Sequence, residues 1–177
     1  LWVRQQPGSV RGADISGRGF EAFGVDPGRV IAVAARDAAE LLWVAEEGLR
    51  CAGLAAVVAE VRTVDLTAGR RLQLAAEAGG VTGLMVATGY RAGKAVASAA
   101  ETRWRVRPAP SADPFRRAVW ALDLERSRGG LPASLTVGWS LADHRFVAAD
   151  PVSVSHPVPH SGTRPKTPVP ALQPGLF

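Results

Sequence analysis

The sequence predicts an α/β domain in which a parallel sheet with crossover helices gives way to antiparallel strands. Three observations predict it. Apolar runs at residues 29–35 (RVIAVAA), 54–61 (LAAVVAEV) and 81–88 (VTGLMVAT) recur about every 26 residues without polar alternation, the mark of strands covered on both faces. Segments of helical periodicity fill the gaps between these runs. Beyond Glu101 the hydrophobic period falls to two.

Taken in order, Leu1-Trp2-Val3 reads as a strand already under way, followed at once by Arg4 and Pro7-Gly8. The chain opens without methionine, so the expectation is a fragment or an unusual start. Gly12, Gly17 and Gly19 have no helix behind them at dinucleotide-binding spacing and predict a flexible surface connection. The first helix is predicted over 37–52, with Ala38, Leu41, Leu42, Ala45, Leu49 and Ala52 on one face. Asp37 can cap it, Glu40 stands at the third helical position, and Gly53 ends it. The second, over 67–78, buries Leu72, Ala75 and Ala76 and stops at Gly79-Gly80. Strand, helix, strand, helix, strand implies right-handed crossovers and hence a parallel sheet.

From residue 102 apolar and polar side chains alternate. Trp104 and Val106 oppose Arg103, Arg105 and Arg107; Ala118, Trp120, Leu122 and Leu124 form a second apolar row; Leu135, Val137, Trp139 and Leu141 form a third. Asp143-His144 predicts a turn into 145–149. These strands are expected to extend the sheet as hairpins. Residues 1–149 therefore read as the core. Residues 150–177, where prolines recur among Ser, Thr and His, read as a tail unable to order itself, with Leu172–Phe177 as a candidate docking motif.

A chain of 177 residues suits one domain with a real core. No apolar run approaches the ~20 residues of a membrane span, and no secretory signal is visible. The single cysteine, Cys51, rules out an internal disulfide, which fits a cytoplasmic setting. Net charge is +5, nearly all from arginine. That excess suits nucleic-acid phosphates or reflects an arginine-biased composition.

Catalytic signals are weak. Gly89–Ala95 (GYRAGKA) imitates a phosphate-binding loop but has three residues between its glycines where the motif needs four, and Ala95 stands where a Ser or Thr should hold Mg²⁺. The carboxylates Glu40, Glu46 and Glu47 read as a solvated helix face. Glu60 differs: it ends a buried strand, on the edge where open α/β sheets bind ligands, and reads as a nucleotide-site relic or as a merely exposed residue. His144, His156 and His160 lie in a turn and the tail, and Cys51 reads as a small buried side chain. No catalytic residue, metal or cofactor is assigned. Trp104, Trp120 and Trp139 read as packing residues. Arg91, Lys94, Arg103, Arg105 and Arg107 either track a phosphate backbone, predicting weak, salt-sensitive binding of single-stranded DNA, or protect a solvated edge strand.

An ordered set of segments resembles the ImuA family. It comprises Leu42-Trp43-x-x-Glu46-Glu47-x-Leu49-Arg50, Ala56-Val57-Val58-x-Glu60, Arg71-Leu72-x-Leu74-Ala75-Ala76-Glu77, Thr102-Arg103-Trp104-x-Val106 and Leu124-Glu125-Arg126-x-Arg128-Gly129-Gly130. The resemblance covers 1–149 and implies a RecA-like, partly parallel three-layer sheet. It implies an accessory role in SOS mutagenesis beside an ImuB-type Y-family-like partner, RecA and an error-prone DnaE-type polymerase. By the same resemblance Leu1–Val3 match the strand after the phosphate-loop helix, so the N-terminal phosphate-loop segment is missing, and Gln5 stands near the place of a catalytic glutamate. Glu60 falls near a metal-associated aspartate, and residues 89–100 correspond to a shortened DNA-binding loop. A working ATP-dependent recombinase-like enzyme, with its phosphate loop upstream, is the alternative.

Overall fold

A computed structural model describes residues 1–6, 15–88, 99–111 and 118–149. The phosphate-loop mimic, with Arg91 and Lys94, and the tail fall outside the described residues. The elements are β1 (Trp2–Gln5), α1 (Gly17–Ala22), β2 (Ala32–Ala35), α2 (Ala38–Arg50), β3 (Ala56–Val61), α3 (Leu66–Gly79), β4 (Thr82–Ala87), β5 (Thr102–Pro108), β6 (Val119–Ser127), β7 (Ala133–Ser140) and β8 (Arg145–Ala148).

The first four strands form a parallel sheet in the order β2-β1-β3-β4. The three strands predicted from the apolar runs are present, and β1 inserts between β2 and β3. Connections from β1 to β2 and from β2 back past β1 to β3 run in opposite directions. Right-handed crossovers then place their helices on opposite faces. Accordingly α2 and α3 cover one face, burying Val3, Val57, Ala59 and Val61 beneath Leu41, Ala45, Leu49, Leu72 and Ala75. On the other face α1 brings Phe20 edge-on to Trp2, with ring centroids 5.5 Å apart.

Caps define the helices. Asp37 accepts from the Glu40 N–H, and Glu40 returns by accepting from the Arg36 N–H, a reciprocal pairing that starts α2. Asp65 accepts from the Ala68 N–H to start α3, and Gly80, at φ +67°, ends it in the left-handed region that favours glycine.

Several expectations need correction. The antiparallel strands do not extend the parallel sheet but form a second sheet in the order β5-β6-β7-β8. Each finds its ladder partner in the next strand along the chain, so β4 and β5 remain separate edges. The expected three layers are incomplete among the described residues: α1 is only six residues long and spans little of its face, leaving Leu84 and Val86 half-exposed. Gly17 and Gly19 belong to α1 itself, capped by Ser16, rather than to a loop. Helix α2 ends at Arg50, which leaves Cys51 exposed rather than buried.

The second sheet has one apolar and one polar face, as its period of two demands. Phe23, just past α1, packs against Trp120 and Trp139, and Phe146 meets both tryptophans. The Trp139 indole donates to the Ala22 carbonyl at 2.9 Å, completing a link through α1 to the first sheet. Trp104 lies beyond this cluster and is half-exposed, so it is not the packing residue its apolar row implied.

Candidate functional site

Glu60 lies one residue before the end of β3, beside Arg4 of β1. These neighbouring strands send their connections opposite ways, which is where open α/β sheets bind ligands. The Glu60 carboxylate accepts a hydrogen bond from the Trp2 indole at 2.8 Å. It projects to the α1 side because the residues of β3 alternate between faces.

The arginines of β5 share a face with carboxylates of β6. Arg105 pairs with Glu125, and Arg107 donates to Asp123 at 2.6 Å. Arg103 stands opposite Arg126, across a register shift between Arg103 and Trp104. The guanidiniums of Arg105 and Arg107 are thus already neutralised across the strands, which the sequence could not reveal because Asp123 and Glu125 lie some eighteen residues away. Hydrogen bonding from Ser134 first, and from Arg107 second, holds the Asp123 carboxyl below its ordinary range. A depressed carboxyl stabilises the fold above the unfolded-state pKa, and that contribution disappears as pH falls through the folded value. Ser134→Ala is therefore expected to move the Asp123 titration upward in a carbon-detected NMR pH series, so that this acid-side loss begins at higher pH. An unmoved titration would exclude the hydroxyl as the main cause.

A third constellation lies on the outer side of the two long helices. A groove of about 400 Å³ runs between α2 and α3, lined chiefly by Leu42, Trp43, Glu46, Ala68, Arg71 and Leu72. Trp43 is 59% exposed, while Glu46 beside it is only 6% exposed. One Glu46 oxygen receives Arg50 at 2.6 Å from the next turn of α2, and the other receives Arg71 from α3. Glu46 is therefore not part of a solvated face: α3 packs close enough to cover it, and two guanidiniums supply what water would have supplied. Because both arginines remain half or more exposed, the cluster reads as a partly wet clamp joining the helices at the groove floor.

These groove residues were not singled out as a site from the sequence. Two signals were nonetheless available. Trp43 is a large aromatic one step off the apolar stripe of α2, and Glu46 precedes Arg50 by four residues, the spacing of a helical ion pair. Arg71 could be joined to them only by folding. Among the described residues no three His, Cys, Asp or Glu side chains gather as a metal would require, and no helix is long and apolar enough to cross a membrane.

No protein-family profile matches the chain. It is 41% identical over 153 residues to Protein ImuA from Caulobacter vibrioides, in strains NA1000 / CB15N and ATCC 19089 / CIP 103742 / CB 15. The match takes in 80% of this chain and 59% of those proteins, so the chain spans less than two thirds of the relatives' length. Among solved structures it is similar to SulA from Pseudomonas aeruginosa, at 23% identity and a TM-score of 0.41, covering 49% of this chain and 69% of that one. That likeness is too slight to fix a fold family.

Proposed function

Because the chain belongs to the ImuA family, we propose that it is a non-catalytic accessory factor in SOS-induced DNA damage tolerance. In this reading it supports error-prone translesion synthesis by contacting an ImuB-type partner. The observation that carries the reading is Trp43, 59% exposed above an apolar groove. Leaving a tryptophan in water forgoes the stabilisation its burial would bring, and tryptophan and arginine are the side chains that dominate protein interfaces when a partner covers them. The segments of the family resemblance on α2 and α3 supply Trp43, Glu46, Arg50 and Arg71 to this one place. Its chemistry is that of binding: the Glu46 carboxylate is occupied by two arginines, and the groove wall is apolar.

Direct DNA contact is a lesser part of the proposal. A phosphate approaching Arg105 or Arg107 would have to share the guanidinium with Glu125 or Asp123.

The test is capture of a purified ImuB-type protein by this chain and by Trp43→Ala, measured by titration calorimetry. Removing the indole is expected to cost about 2 kcal/mol of binding, roughly a 30-fold loss. The melting temperature should hardly move, because an exposed side chain supports little of the fold. Equal affinity of the variant and the parent chain would overturn the assignment of the groove.

A further inference from the structure

We propose that the outer edge of β5 is a docking site for an extended acidic segment of a partner protein, which adds to the second sheet as a fifth strand. The inference is independent of the α2–α3 groove and concerns a different face of the molecule. Strand β5 stands at the end of its sheet, and among the described residues no strand pairs with its outer edge. Such an edge presents backbone donors and acceptors to any chain of matching period.

The side chains of β5 specify the occupant. On one face Trp104 and Val106 are 47% and 60% exposed. On the other face Arg105 and Arg107 keep 37% and 57% of their side chains exposed although each already holds a carboxylate. The strand carries three arginines and no acidic residue. A guanidinium has five N–H donors, so a second carboxylate can share one that Asp123 or Glu125 has engaged. Apolar and cationic rows pointing to opposite sides are matched together only by another strand, whose side chains also alternate. A nucleic-acid backbone would meet the arginines and leave Trp104 and Val106 uncovered. The register shift before Trp104 and the missing N–H of Pro108 bracket the site, so its pairing core is Trp104–Arg107.

The experiment uses the full 177-residue chain and a fluorescein-labelled octapeptide of alternating valine and glutamate, followed by anisotropy at low salt, with a valine–lysine octapeptide beside it. Saturable binding of the glutamate peptide, at least tenfold tighter than the lysine peptide, is expected. Amide exchange in the unmodified chain should slow on binding at Trp104 and Val106, whose N–H groups point away from β6, a readout that needs no variant to fold. Arg107→Gln should weaken binding severalfold while lowering the melting temperature only slightly, because the exposed pair it forms with Asp123 contributes little to stability. Absent or equal binding of the two peptides would overturn the proposal, as would protection appearing elsewhere. Displacement of the peptide by single-stranded oligothymidylate, with tighter binding of the oligonucleotide, would reassign the edge to nucleic acid and overturn it as well.

Discussion

Gly79→Ala is expected to destabilise the protein by about 3 kcal/mol, a large penalty for a single methyl group. Alanine is ordinarily the better residue in a helix by roughly 1 kcal/mol. Here a Cβ on Gly79 would run into the Leu49 carbonyl oxygen and lie 2.9 and 3.0 Å from the Arg50 Cα and carbonyl carbon. Those atoms are backbone at the end of α2 and cannot rotate aside. Either the end of α3 lifts off or the last turn of α2 unwinds. Urea denaturation would read the loss as a lower midpoint at unchanged slope. An alanine variant as stable as the parent would show that the two helices do not approach this closely.

Leu49→Ala is expected to cost a similar amount, about 3 kcal/mol, for the opposite reason. Leu49 is only 1% exposed and is among the largest fully buried side chains of the chain. Its Cδ2 would lie 3.1 Å from a Cβ on Gly83, so the side chain fills the space that the glycine of β4 leaves open. Truncation leaves a cavity there that helix and sheet can close only in part. The same denaturation experiment measures it, and a loss below about 1 kcal/mol would mean that the core collapses around the gap. The two substitutions act within one contact but do not compensate. The obstruction at Gly79 comes from backbone atoms, which Leu49→Ala leaves in place, so the double variant should be less stable than either single one. Both bear on the groove. The helices meet closely at their C-terminal ends through Gly79, while Leu42, Trp43 and Leu72 stand between their earlier turns, which is where the groove opens.

Much of the fold was legible. The strands at 29–35, 54–61 and 81–88 appear as β2, β3 and β4 because a short, mostly apolar run suits a strand. Burial on both faces does not follow: β2 and β4 are the edges of the sheet and most of their residues are exposed. Asp37 and Gly80 mark helix ends by local chemistry that needs no distant partner. The rows Trp120, Leu122, Leu124 and Leu135, Val137, Trp139 share one face, as alternation requires. Helix α1 is not legible because a six-residue segment with two glycines has almost no helical signal; what holds it is Phe20 against Trp2 and Phe23 against the second sheet.

The candidate site was less legible. Glu60 falls near the end of its strand as the apolar run implies, yet its contact with Trp2 comes from the neighbouring strand β1, distant in the chain. Arg105 and Arg107 were recognised as one row, but their partners come from β6. Glu46 shows the limit best. Helical periodicity put it outside the apolar stripe, and only the packing of α3 buried it and brought Arg71 to its second oxygen.

By itself, then, the sequence determined the elements other than α1, the N-terminal caps of the two long helices and the alternation of strand faces, because these depend on neighbours within a turn or two of chain. Tertiary structure decided the rest: the insertion of β1 between β2 and β3, the separation of the two sheets, the burial of Glu46 and the exposure of Trp43. Each of those depends on which distant surfaces come to exclude water from one another, and no local pattern encodes that.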